Sequence, residues 1–110
     1  MRFAPSMLLP DMRVVQTAVT ATAPSASRIL GPNPDRVCVL FWPTQGGSYV
    51  VGPSNIVTQQ RGWTVASGSS IISFDFATWG HIITGEWWAA GSAASVATYV
   101  TELIYQPRKD

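Results

Sequence analysis

Few side chains in this sequence could carry out a chemical reaction. Its 110 residues include one histidine, one cysteine and six acidic residues. A serine hydrolase triad could be assembled on paper from Ser73, His81 and Asp75, but the sequence contains neither a nucleophile motif nor a recognisable oxyanion-hole loop. We therefore interpret His81 as a strand residue satisfied by a hydrogen bond.

The acidic residues do not form a recognisable site either. Asp75 and Glu86 would have to be the paired carboxylates of a glycosidase, but both fall on predicted strands beside Ser or Thr, as solvated residues do. No cluster of histidine, cysteine and carboxylate residues has the spacing of metal ligands. Gly46-Gly47 lacks the pattern of a phosphate-binding loop. The sequence thus predicts a protein that is not an enzyme and uses no metal or other cofactor.

The tryptophans are the residues best suited to binding. They are Trp42, Trp63, Trp79, Trp87 and Trp88. Aromatic side chains stack on sugar rings and anchor protein interfaces, although ordinary core packing is the more common role. Because adjacent strand residues point to opposite faces, Trp87 and Trp88 cannot enter the same core. We expect one of them at a surface, an interface or a second packing layer.

Short apolar segments separated by turn residues must position these side chains. Residues 36–42, 48–51, 56–58 and 63–66 read as strands, with Gly46-Gly47 as a hairpin turn. Short strands that follow one another closely, with Gly and Pro between them, predict an antiparallel sandwich or barrel. Segment 36–42 is apolar on both faces, so it is either covered on both sides or meets a partner with its second face.

Further strands are predicted on both sides of this region, and the predicted class is all-β. They span residues 13–22, 71–77, 81–86 and 95–106. In the segment 71–77, alternation places Ile72, Phe74 and Phe76 towards the core. In the segment 95–106, Ala97, Tyr99, Leu103 and Tyr105 share one face, and Val96, Val100 and Ile104 share the other.

Composition favours contact with other protein. Charged residues make up 12% of the chain, about half of the ~25% typical of soluble proteins. A surface with so little charge is easily desolvated against a protein partner. The net charge is +1 and the basic residues are scattered, which argues against nucleic acid. No apolar run approaches the ~20 residues of a membrane span. The lone Cys38 lies in an apolar run and is expected to be a small buried residue.

Residues 1–12 are predicted to form an extended arm, and residues 107–110 a short charged tail. Pro5 and Pro10 exclude a regular helix or central strand. The segment also lacks the continuous apolar stretch of a secretory signal, so we do not expect one. The arm's apolar side chains are Phe3, Met7, Leu8 and Leu9. These residues are either a disordered start or an arm that docks on a neighbouring subunit.

The order of turns and strands resembles a known group of proteins. The segments NPDRVCVLF, YVVGPSNIVT, RGWTVASGSS and HIITGEWWA, followed by a closing strand that ends in TELIY, resemble small β-domains of tailed-phage structural proteins. The group comprises capsid decoration or cement proteins and related domains of head and tail fibres. The resemblance covers residues 28–106 and includes Arg36, Gly52, Asn55 and Gly62.

With this resemblance we predict a jelly-roll-like antiparallel β-sandwich over residues 13–106, preceded by the arm, which is not itself part of the matching pattern. The resemblance implies a virion structural protein, made in the host cytoplasm, that binds the outer capsid surface and staples neighbouring shell subunits. Its partners would be the major capsid protein and further copies of itself, as a dimer or trimer. We expect the contacts to come from Phe3, Met7, Leu8 and Leu9 and from Trp87 or Trp88. The alternatives are a carbohydrate- or receptor-binding module of a phage fibre and, less favoured, a small hydrolase that uses His81.

Overall fold

The computed structural model describes residues 11–58, 61–93 and 95–106, which form mainly β-strands. The strands are β1 (Asp11–Thr22), β2 (Ser27–Leu30), β3 (Arg36–Phe41), β4 (Tyr49–Gly52), β5 (Trp63–Val65), β6 (Ile72–Asp75), β7 (Trp87–Gly91) and β8 (Ser95–Gln106). Helical structure in these ranges is limited to α1 (Phe76–Trp79) and a 3₁₀ helix (Gly80–Thr84). The predicted all-β class is confirmed.

All eight strands belong to one sheet, in the order β5-β4-β7-β1-β8-β3-β6, with β2 paired to β7. β1 and β8 are antiparallel along their full length of 12 residues. β7 joins the two halves of the sheet, because it pairs with β2 and β4 and contacts β1 through Thr22 and Ala90. The outermost strands approach each other, with the rings of Trp63 on β5 and Phe74 on β6 only 5.0 Å apart. The sheet is therefore barrel-like and nearly closed.

The core fills the space between the two halves of the sheet. Its buried members include Ala21, Val39, Phe41, Phe74 and Val100 from one half, and Tyr49, Val51, Val65, Trp87 and Ala89 from the other. The indole of Trp87 lies 5.2 Å from the rings of both Phe41 and Phe74. Burial of this apolar surface is the main stabilising contribution to the fold.

The chain departs from the predicted strand pattern at Asp75. Its carboxylate accepts a hydrogen bond from the backbone N–H of Thr78 at 2.8 Å and caps α1. The helical turn moves Phe76 out of the core, so this side chain is exposed, against the prediction. Phe74 is buried as predicted, and Ile72 is half-buried.

Two other predicted strands are absent from the described chain. Residues 56–58 form a turn that ends in a single bridge between Thr58 and Arg61. Residues 80–84 form the 3₁₀ helix, and the carbonyls of Ile83 and Gly85 both accept hydrogen bonds from Arg36. These tertiary bonds outweigh the strand preference of the β-branched residues in this segment.

The first described strand begins earlier than predicted. Asp11 and Met12 belong to β1, so the last two residues assigned to the arm lie in this strand. The remaining arm residues, which include Phe3, Met7, Leu8 and Leu9, lie outside the described residues, as does the predicted tail at 107–110. No helix in the described ranges is long and apolar enough to span a membrane.

Candidate functional site

The outward side of strands β1, β8 and β3 forms a mainly apolar surface, which is interrupted by Gln16 and Thr101 opposite each other on β1 and β8. On β8, buried residues such as Val100 and Ile104 alternate with outward residues such as Tyr99 and Tyr105. The register continues this alternation onto both neighbouring strands. We name this surface the outer face and define it by Met12, Val14, Ala18, Cys38, Leu40, Trp42, Tyr99, Leu103 and Tyr105.

The large side chains of the outer face are unusually accessible for their type. The exposed fractions are 64% for Val14, 54% for Tyr99, 42% for Met12 and 37% for both Trp42 and Tyr105. They form cross-strand pairs such as Met12 with Tyr105. A large, mainly apolar patch of this kind marks an interaction site far more often than scattered apolar residues do.

None of the residues that define the outer face carries a charge. The acidic residue Asp75 lies at its margin on β6, directly opposite Cys38. Burial, and to a lesser extent the Asp75 carboxylate, raise the pKa of the Cys38 thiol. The outer face is therefore mainly apolar and neutral, a surface that costs little to desolvate.

A buried ion pair fixes the strands beneath the outer face. The Nε of Arg36 donates to Oε1 of Glu102 at 2.7 Å, and both side chains are buried. The Arg36 guanidinium also donates to the carbonyls of Ile83 (3.1 Å), Gly85 (2.8 Å) and Gly31 (2.7 Å). This network ties β3 and β8 to the 3₁₀ helix and to the end of β2, so the strands beneath the outer face are held rigidly.

The other end of the outer face is anchored at Trp42. Its indole Nε1 donates to Oγ1 of Thr101 at 2.7 Å. Its carbonyl accepts from the Tyr49 hydroxyl at 2.6 Å and from Oγ1 of Thr98 at 2.7 Å. These bonds position the exposed indole, so Trp42 is a rigid aromatic contact.

β1 gives the outer face an open margin. One side of β1 is paired with β8 throughout. On its other side, the strand pairing in the described chain is confined to Thr22, opposite Ala90. Residues 12–20 therefore have no strand neighbour on that side among the described residues.

The predicted binding residues Trp87 and Trp88 lie elsewhere. Trp87 is completely buried, so its prediction as a protein-binding residue is wrong; the ring belongs to the core. Trp88 is half-buried, packs against a second apolar cluster that contains Val50 and Ala90, and donates from Nε1 to Oε1 of Glu86 at 2.9 Å. The prediction that only one of the two rings enters the core is confirmed, with Trp88 in a second packing layer.

A second surface feature is a shallow pocket beside β4 and β5. Its volume is about 360 Å³. It is lined by Gly52, Pro53, Ser54, Ile56, Val57, Arg61, Gly62 and Trp63. Trp63 is half-buried and makes an edge contact with Trp79, with ring centroids 5.3 Å apart. An aromatic ring beside a cation and a hydroxyl can contact a sugar.

The residues considered for catalysis are not assembled into a site. Asp75 is engaged in capping α1. The His81 ring lies 5.4 Å from Phe76 in an edge contact. No hydrogen bond joins Ser73, His81 and Asp75 in the described chain, and no group of three or more potential metal-ligating residues occurs there.

Comparisons with known proteins leave the geometry as the main guide to function, because no family model, curated protein or solved structure matches this chain.

Sequence reasoning identified part of the outer face and missed the rest. The two apolar faces of segment 36–42 and the shared face of Tyr99, Leu103 and Tyr105 were both visible in the alternation. The contribution of Met12 and Val14 was not, because it depends on the full-length pairing of β1 with β8. The signal that could have located them is the similar length of the two β-branched segments, 13–22 and 95–106.

Proposed function

We propose that this chain is a structural protein without catalytic activity that acts by laying its outer face against another protein. In the form that the resemblance favours, it is a virion decoration or cement protein. Its partner is then the major capsid protein on the outside of the shell, and it staples neighbouring shell subunits. The proposal includes the jelly-roll-like sandwich and an N-terminal arm, now limited to residues 1–10 because β1 begins at Asp11; the apolar composition of that segment supports the arm.

The observation that carries the proposal is the exposed, uncharged outer face on a rigid support. Interfaces between proteins are depleted in charge at their centre and enriched in Tyr, Trp and Met, which is the composition found here. Tyr99 and Trp42 are the large aromatic anchors of this face. Each contact with the shell would be weak, and repetition across a symmetric shell would make the sum strong.

Quantitative mass spectrometry of particles made from the genome that encodes this chain tests the proposal. We expect the ratio of this chain to the major shell protein to be one or a simple fraction of one. Only a few copies per particle would contradict a decoration role and favour a fibre, and complete absence would contradict both.

A pair of variants tests whether the outer face makes the contact. Tyr99→Lys replaces the most exposed aromatic side chain of the face by a charge and should abolish binding to shells that lack this protein. Ile56→Lys is the matched control, because Ile56 is also largely exposed (64%) but lies in the pocket beside β4 and β5. Equal binding by the two variants would contradict the use of the outer face.

The second candidate function is carbohydrate binding at a phage fibre, and the pocket that contains Trp63 and Arg61 favours it. Binding of a sugar beside Trp63 would quench tryptophan fluorescence, and Arg61→Ala should abolish the response. If the protein bound no sugar on a broad glycan array, that result would contradict this function.

A further inference from the structure

We infer that the open edge of β1 pairs with the same edge of a second copy, antiparallel and about a twofold axis at Gln16. The inference goes beyond the proposed function, because it does not depend on what the outer face binds. It concerns the backbone of residues 12–20, whereas the proposed function concerns outward side chains of three strands.

The direction of the backbone groups in β8 shows which groups of β1 reach the edge. The carbonyl of Tyr99 accepts from the Trp42 N–H, and the N–H of Tyr105 donates to the Asp35 carbonyl, so both of these β8 residues direct their backbone groups towards β3. Successive strand residues alternate in this direction. The even-numbered residues of β8 therefore bond to β1, where their partners are Arg13, Val15, Thr17 and Val19.

The even-numbered residues of β1 consequently direct their N–H and C=O groups away from β8. They are Met12, Val14, Gln16, Ala18 and Thr20. An independent contact supports this assignment, because Oγ of Ser27 reaches the Thr20 carbonyl from the open side at 3.4 Å. Between residues 12 and 18, no strand of the described chain lies beside these groups.

This edge has few of the features that protect exposed strands from pairing. Edges are normally blunted by lysine, proline, bulges or shortness. Residues 12–20 contain no lysine and no proline, and their single charge is Arg13. Their register with β8 is continuous, without a bulge. The segment also contains β-branched residues that favour sheets, such as Val14, Val15 and Thr17.

A second copy fits the edge better than the preceding segment of the same chain. Pro5 and Pro10 lack the N–H that a ladder requires, and Pro10 directly precedes β1. Twofold pairing needs no foreign sequence, because each copy offers the same alternating donors and acceptors.

The twofold register is also electrostatically compatible. With Gln16 opposite its own counterpart, Val14 faces Ala18 and Met12 faces Thr20 of the other copy. Arg13 faces Val19, so no like charges are opposed. The pairing ends at Thr20, before β1 meets β7 at Thr22. The two outer faces then lie side by side on one continuous sheet.

Charge substitution at the axis tests this inference with the full chain in the absence of any shell. Sedimentation equilibrium should give a dimer for the natural sequence. Gln16→Lys and Gln16→Glu each place two like charges opposite each other, so each variant should dimerise at least tenfold more weakly. An equimolar mixture should recover a dimer that contains one copy of each variant, identified by native mass spectrometry.

Gln16→Ala is the matched control, because it removes the same side chain and leaves the backbone edge intact; it should remain dimeric. Gln16 is exposed, so all three variants should keep the circular dichroism spectrum of the natural protein. A monomer for the natural sequence would overturn the inference, and so would undiminished dimerisation of both charged variants or failure of the mixture to form the mixed dimer.

Discussion

Arg36 and Glu102 are 66 residues apart in sequence and form a buried ion pair, with Nε of Arg36 2.7 Å from Oε1 of Glu102. The pair lies where the register between β3 and β8 shifts, between Arg36 and Cys38. The ladder is interrupted at this point. The guanidinium compensates by binding the carboxylate and three backbone carbonyls.

Removal of the carboxylate from this pair should strongly destabilise the fold. Glu102→Ala leaves the Arg36 charge buried without its anionic partner, which costs about 3–5 kcal/mol in comparable buried pairs. Glu102→Gln keeps an oxygen that can accept from Nε of Arg36, so this variant should lose less unfolding free energy than Glu102→Ala. Urea denaturation followed by circular dichroism measures both values. Equal losses for the two variants would show that the retained oxygen contributes nothing and that the effect belongs to the negative charge.

Tyr49 should make stability depend on pH in the alkaline range. Burial raises the pKa of its phenol, and a hydrogen bond with Thr98 lowers it by less. The folded state thus disfavours the phenolate, whereas the unfolded chain ionises at about pH 10. The contribution of the neutral phenol is complete below that pH and is lost progressively as the pH rises above it.

Tyr49→Phe isolates this effect. At pH 7 the unfolding free energy of the variant should be lower by about 0.5–1.5 kcal/mol, because phenylalanine has no hydroxyl to donate to the Trp42 carbonyl. The loss stays moderate because Thr98 still donates to the same carbonyl. Above pH 10 the difference from the natural protein should shrink. A difference that stays constant from pH 7 to 11 would contradict the raised pKa.

The elements that sequence analysis located correctly are those whose residues alternate between core and surface. β8 is the clearest case, because buried Val96, Val100 and Ile104 alternate with accessible residues throughout. The 3₁₀ helix could not be located in the same way. Its residues read as a strand, and its conformation depends on hydrogen bonds from Arg36 and Asn33 that no local pattern encodes.

The open edge of β1 could not be predicted from the sequence either. The alternation in residues 13–22 correctly predicted a strand, but a strand's number of neighbours depends on the topology of the whole sheet. For the predicted contact residues Trp87 and Trp88, the sequence showed that the two rings lie on opposite faces of a strand. It did not show which of the two rings is buried. Trp87 is enclosed because β7 is central in its half of the sheet, between β4 and β2.

Gly62 should be one of the least replaceable glycines. Its φ is +133°, and a Cβ at this position would lie 2.6 Å from both the Val51 carbonyl oxygen and Cγ1 of Val50. Gly68 also has a positive φ, +71°, but a Cβ there would meet nothing within 4 Å. Gly62→Ala combines backbone strain with a clash against backbone, so we expect it to cost more than about 3 kcal/mol.

Gly68→Ala is the matched control for Gly62→Ala. It carries the conformational strain alone, which is about 1–2 kcal/mol for a residue in the left-handed region. Thermal unfolding of the two variants separates strain from clash. Similar losses would mean that β4 moves away from the added methyl group at little cost.

Cys38 should report on the electrostatics of the outer face. Burial and the Asp75 carboxylate raise the pKa of its thiol, so the reactive thiolate is scarce at pH 8. Iodoacetamide should therefore alkylate Cys38 in the folded protein several-fold more slowly than in the unfolded chain.

Asp75→Asn separates the two causes of the raised pKa. Asn keeps an oxygen that can cap α1, so the fold is retained, whereas the negative charge opposite Cys38 is lost. Alkylation of this variant should be faster than that of the natural protein, but still slower than in the unfolded chain, because burial is the larger cause. The pH dependence of the rate, followed by mass spectrometry, gives the thiol pKa in each protein. An identical pKa in the two would rule out the carboxylate as a cause, and a rate equal to that of the unfolded chain would rule out burial of the thiol as a cause.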